Sequence, residues 1–269
     1  HIIDGHCHLA SHRCIPKPFY RGVAANTAAK IRYQGIPADI DNITDMLMAQ
    51  SEDHEGDGLV EQMDMAGIEQ TVLLAPDFTY AFESQYSIEE IAFQHQKVLN
   101  KHPERFKVLF GVDPRWGQEA YDLFERSISE FGFHGLKLYP PCGYSPSDEM
   151  LYPLFEICRA HGLPVLLHTG PTSPTLHFSD AAPELIDKAA LDFPDVNFIL
   201  AHAGANNVEA GRLMCLYRPN VYLDFSGYPS CTSPGGWRQS LSDLFKAGIN
   251  HKVIFGTDWP AFYMREGLK

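Results

Sequence analysis

Eight short runs of β-type residues recur along the chain, and each is followed by a stretch whose apolar positions fall at helical spacing. The runs are 2–4, 71–75, 107–112, 135–139, 164–168, 197–202, 221–225 and 252–256. Between them the pattern predicts helices near 57–66, 86–102, 117–131, 148–161, 182–192, 206–217 and 237–247, with Gly67, Gly132, Gly162 and Gly248 as stops. Val165-Leu166-Leu167 and Phe198-Ile199-Leu200 are continuously apolar, as strands are when both faces are buried. This alternation predicts parallel strands joined by crossover helices, and eight strands close a ring. The expected fold is therefore an α/β protein of the (β/α)8 TIM barrel type, in a single domain over 1–269. A doubly wound open sheet would carry a Gly-rich phosphate turn after its first strand, where this chain has Gly5-His6-Cys7-His8.

Residues 10–56 interrupt the rhythm with Gly, Pro, Asn and little periodicity. So long a connection is read as a functional insertion after strand 1, lying over the barrel mouth with short helices of its own. It also offers a surface on which a homo-oligomer could form.

Composition narrows the partners. Twenty-one basic against 34 acidic residues give a net charge of −13, which opposes binding to nucleic acid or an anionic membrane and leaves a small-molecule substrate as the expected partner. No apolar run is long enough for a membrane span and no secretory leader opens the sequence, so the expected setting is cytoplasmic. The six cysteines are scattered without a Cys-x-x-Cys pair and read as reduced, buried thiols.

The chemistry is carried by strand ends. His6 and His8 close the first strand, and residues two apart leave the same face, so both imidazoles can reach one cation while Cys7 points away. With 13 histidines in the chain, a His-x-His triplet is expected roughly 0.6 times by chance, so position has to decide. Lys137 lies late in strand four, His168 ends strand five, His202 ends strand six and Asp258 follows strand eight. In a TIM barrel all these C-terminal ends meet at the face that carries the active site. His134 and His251 precede strands and fall at the opposite end, while His95, His102 and His161 lie on or near helices.

This set resembles the amidohydrolase superfamily, particularly its amidohydrolase-2 branch of hydrolases, lactonases and non-oxidative decarboxylases, over essentially the whole chain. The resemblance implies His6, His8, His168 and Asp258 as ligands of one divalent ion, with His202 as a ligand to a second ion or a group that polarises substrate. It also implies that Lys137 is either a carboxylated lysine bridging two ions or a charge partner in a one-ion site. Histidine nitrogen with carboxylate oxygen suits zinc, manganese or iron.

Asp258 is the candidate general base toward metal-activated water, with His202 as a second catalytic group. His12, Arg13, Arg21, Tyr139, His177, Tyr228 and Trp259 are candidate substrate contacts from mouth loops, the arginines for a carboxylate. The leading expectation is a metal-dependent hydrolase acting on an amide, ester or lactone carbonyl. The alternatives are a non-oxidative decarboxylase of an aromatic or unsaturated acid, and a catalytically inert barrel subunit.

Overall fold

A computed structural model describes residues 1–204, 208–227 and 236–268 of the chain. Eight parallel strands form one sheet in sequential order, which confirms the expected barrel: β1 Ile3–Cys7, β2 Gln70–Ala75, β3 Phe106–Phe110, β4 Leu136–Leu138, β5 Val165–Leu167, β6 Phe198–Leu200, β7 Val221–Asp224 and β8 Val253–Ile254. The ring is closed between its first and last elements by backbone bonds. Gly5 N–H donates to the Phe255 carbonyl at 2.8 Å, Asp258 N–H to His6 at 2.8 Å and His8 N–H to Trp259 at 2.7 Å.

The crossover helices wrap this ring: α3 Asp57–Ala66, α4 Ile88–Lys101, α5 Gln118–Ser129, α6 Tyr152–His161, α7 Asp187–Asp192, α8 Val208–Tyr217 and α9 Gly236–Lys246. Local sequence explains their ends. Ser87 and Glu90 form a reciprocal capping box at the start of α4. Gly162 terminates α6 at φ 64°, a left-handed conformation that costs a glycine little. Most buried apolar side chains, Phe106, Phe124, Phe155 and Phe198 among them, fill the layer between strands and helices. A second cluster of Leu74, Leu109, Leu166 and Ala201, packed with Val72 and Ile199, is separate from that layer. Leu166 is in register with Lys137 and with Ile199, so this cluster lies on the barrel interior, on the side from which Lys137 projects.

The connection after β1 contains α1 Lys17–Tyr33 and α2 Ile40–Ala49, of which α1 is far longer than the short helices expected there. Its buried residues are Tyr20, Gly22, Ala24 and Ala28, and apart from Tyr20 these are small side chains that a hydrophobic pattern does not register. The five cysteines within the described residues are free and buried; Cys231 lies outside them. Among the described residues no helix is long and apolar enough to cross a membrane.

Candidate metal centre

The end of β1 supplies the centre of the site. Strand alternation sends Cys7 into the helix-facing core and turns His6 and His8 inward. His6 Nδ1 donates to Asp224 Oδ2 at 2.7 Å and His8 Nδ1 donates to the Leu74 carbonyl at 2.8 Å. With both Nδ1 positions engaged as donors, each ring offers Nε2 toward Asp258, whose Oδ1 stands 3.3 Å from His6 and 3.5 Å from His8. Two ligands about 2.1 Å from one tetrahedral ion stand about 3.4 Å apart, so these spacings fit a shared cation. His6 Nε2 and Lys137 Nζ are also buried without a hydrogen-bond partner among the described residues; His6 Nε2 has the Asp258 carboxylate at 3.3 Å, and Lys137 Nζ is left as a buried donor that a further group would satisfy.

Asp258 follows β8 and His202 follows β6, and both adopt positive φ, 61° and 63°. That strained conformation is held by backbone N–H bonds, Asp258 N–H donating across the seam to the His6 carbonyl and His202 N–H to Asp224 Oδ1 of β7, at 2.8 Å each. Burial opposes charge on Asp258, but His202, His6 and His8 outweigh it and keep the carboxyl well below its usual range. Burial likewise works against protonation of His6, yet Asp224 and Asp258 on either side of the ring raise it to about 9.

His202 is different: burial lowers it to about 4, so it is neutral. The Ser226 hydroxyl gives its proton to Asp224 Oδ1 at 2.6 Å and lies 2.9 Å from His202 Nδ1. Nδ1–H must therefore be the donor in that second contact, which leaves Nε2 as a bare lone pair. The ring centroid of His202 lies 4.7 Å from His6 and 5.0 Å from His168.

His168 donates from Nε2 to the Pro171 carbonyl at 3.0 Å, freeing Nδ1, and stacks on Tyr139 at 4.3 Å. The donor atoms of His6, His8 and Asp258 lie within 4.8 Å of one another, as do those of His6, His202 and Asp224. His168 belongs to neither trio and joins them through the edge of His202. Lys137 is enclosed, and burial lowers its ammonium to about 8 against the pull of Asp224 and Asp258. Part of it is thus the free amine near neutrality.

Asp224 went unremarked in the sequence although it is central. From the end of β7 it accepts hydrogen bonds from His6 Nδ1, His202 N–H, Ser226 N–H and the Ser226 hydroxyl. A carboxylate at a barrel strand's C-terminal end, in Tyr222-Leu223-Asp224-Phe225, was the available signal. Asp4 plays a related part, accepting from His6 N–H, Thr257 N–H and the Thr257 hydroxyl across the seam.

The candidate substrate contacts scatter. Tyr139 is buried against His168, with its hydroxyl 2.8 Å from Thr172 Oγ1. Trp259 adjoins the seam, and its indole N–H is buried without a partner among the described residues. His177 donates its backbone N–H to Pro141 at 2.9 Å, on the loop after β4. Three others turn elsewhere. Arg21 is an exposed partner of Asp41 between α1 and α2, Arg13 lines a surface cavity with Glu90, Gln94 and Lys97 of α4, and His12 faces Glu52 and His54. Each finds a local carboxylate or helix surface within or beside the long insertion, which draws it from the cluster. Tyr228 lies outside the described residues.

Comparison with known proteins bears on the whole chain. The sequence model of the amidohydrolase family matches residues 3–266. An uncharacterized TIM-barrel protein from Bordetella bronchiseptica is similar in structure at 23% identity, with 99% of this chain and 88% of that one covered and a TM-score of 0.68. A 2,6-dihydroxybenzoate decarboxylase from Rhizobium superposes with a TM-score of 0.64 at 19% identity, over 98% and 90% of the two chains. A dihydroxybenzoic acid decarboxylase from Polaromonas, with bound manganese and the inhibitor 2-nitroresorcinol, gives 0.65 at 19% identity over 98% and 89%. Protein fluG of Emericella nidulans is 28% identical over 96 residues, 35% of this chain and 11% of that protein, so the chain matches about a tenth of that relative's length.

Proposed function

The chain belongs to the amidohydrolase family, and from that premise we propose that it is a metal-dependent hydrolase cleaving an amide, ester or lactone carbonyl of a small molecule. The observation that carries this reading is the ionised Asp258 carboxylate set 3.3 and 3.5 Å from the two Nε2 atoms of His6 and His8. A divalent ion held by His6, His8, His168 and Asp258 would polarise the carbonyl and acidify water. Asp258, kept deprotonated by the imidazoles around it, takes the proton from the attacking water and returns it to the leaving group. His202, presenting a lone pair at Nε2, serves as ligand or proton acceptor beside it; as a neutral ring with Nδ1–H committed to Ser226, it has no proton to offer an oxyanion. Lys137, a partly free amine at the same end, is suited to carboxylation and so to a second ion. Zinc, manganese and iron are the ions to test, and the Polaromonas relative holds manganese.

An aromatic path leads to the site from the insertion, which we place over the mouth. Phe19 of α1 lies 5.0 Å from Phe78, Phe78 lies 4.8 Å from Tyr139, and Tyr139 stacks on His168.

Non-oxidative decarboxylation of an aromatic acid is the second reading, favoured by the names of two structural relatives. It asks Asp258 to protonate carbon, whereas its surroundings hold it as a base. The test is the metal-loaded protein against lactones, esters and N-acyl compounds in one arm and hydroxybenzoates in the other, with acid and carbon dioxide release both followed. Hydrolysis without carbon dioxide supports the proposal. Carbon dioxide release from a hydroxybenzoate without hydrolysis replaces it with the second reading.

A further inference from the structure

The two ends of the long insertion meet in a neck outside the barrel site. Ser11 bridges Glu52 in antiparallel register, His12 N–H donates to the Ser51 carbonyl at 2.8 Å and Asp53 N–H donates to Ala10 at 2.9 Å. On this neck stand three side chains that no part of the proposed reaction uses. His12 Nε2 lies 3.2 Å from Glu52 Oε1, and His54 Nε2 lies 3.1 Å from Glu52 Oε2. The two rings meet edge to face at 4.9 Å, and one donor atom from each of the three residues falls within 4.8 Å of the others.

We propose that His12, Glu52 and His54 form a second divalent-cation site, selective for a transition ion such as zinc, that clips the insertion closed at its base. Each imidazole stands 3.1 or 3.2 Å from its own oxygen of Glu52, close to the edge of about 3.4 Å between ligands of one tetrahedral ion, so the ion would sit between the rings and share both carboxylate oxygens. Two imidazoles and a carboxylate also select zinc-like ions over magnesium or calcium, which prefer oxygen alone. The buried Ser11 hydroxyl sits 2.7 Å from His54 Nδ1, an outer partner of the kind that orients a ligating ring and leaves Nε2 for the ion. Gln94 of α4 donates to the His54 carbonyl, fixing the backbone that carries the ring. Ligands from the first and last turns of the insertion close a long loop, where a clip restrains the open chain most.

The probe is Zn2+ itself. Chelator-treated full-length protein is dialysed against Zn2+ and the metal per chain is measured for wild type, Glu52→Gln and the double variant His12→Gln/His54→Gln. Both variants are expected to hold one equivalent fewer than wild type. Trypsin cleavage after Arg21, Lys30 and Arg32 is followed in parallel. At Zn2+ ten times its dissociation constant the open population falls about tenfold, and cleavage slows accordingly in wild type but not in the variants. Circular dichroism of the metal-free proteins checks folding, and Glu52→Gln alters a side chain 60% exposed, so the comparison survives failure of the double variant to fold. Equal metal content in wild type and Glu52→Gln, or equal protection by Zn2+, overturns the proposal. Loss of an ion on changing His6 and Asp258 reports on the barrel site alone, so the two readings fail separately.

Discussion

His6 and Asp224 share a 2.7 Å hydrogen bond with both side chains fully sealed from solvent, across a sequence separation of 218 residues. The bond fixes which nitrogen of His6 faces the site, and outer carboxylates of this kind set ligand orientation and basicity. Asp224→Asn is expected to weaken metal affinity about 10- to 100-fold. Competition with a fluorescent chelator measures it, and an unchanged dissociation constant would remove Asp224 from the centre.

Asp258→Asn separates binding from proton transfer. The amide keeps a ligand oxygen but cannot take a proton, so turnover is expected to fall about 100- to 10,000-fold while most of the metal is retained. Steady-state rates beside metal analysis give both quantities. Wild-type turnover in the variant would end the general-base assignment.

How far the sequence revealed this arrangement differs by element. The apolar runs of β5 and β6 marked their strands because a segment enclosed on both faces carries apolar residues at consecutive positions. His6 and His8 were legible because the period-two rule fixes their common face. Asp224 was not, because a single carboxylate at a strand end looks like any other until its four donors are seen. Helix α1 was hidden for another reason: it buries alanine and glycine, so its packing face carries no hydrophobic contrast. Arg13 and Arg21 could not be assigned from sequence, because Asp41 and the α4 surface become their neighbours only through the tertiary path of the insertion.

Gly256 tests the close approach behind the centre. A Cβ at this position would lie 2.6 Å from the His6 Cβ and 3.0 Å from the Ser226 Cβ, so the backbone has to shift. Gly256→Ala is expected to cost about 1–3 kcal/mol of stability, the range for overpacking, and to weaken metal binding with it. Urea unfolding of the metal-free protein checks the first part.

His95, outside the ligand set, gives the fold a pH dependence that arises chiefly from its burial. It is buried in α4 with Nδ1 donating to the Ile91 carbonyl at 2.9 Å, and burial lowers it to about 4. Between that value and about 6.5 the unfolded chain binds the proton and the native one does not. Its contribution is therefore whole above about 6.5, shrinks as the pH falls and is gone near 4, a loss of about 3 kcal/mol. His95→Gln should flatten that part of the stability profile. Parallel slopes for variant and wild type between pH 7 and 4.5 would exclude the assignment.

Asp4 grips Thr257 over an interval of 253 residues, so the first and last strands are joined beside the very groups they present. A growing polypeptide therefore carries its imidazole pair through about 250 further residues before the matching carboxylate exists. For the proposed centre, uptake of the inorganic partner would thereby be deferred until the ring is complete, and loading would report finished folding.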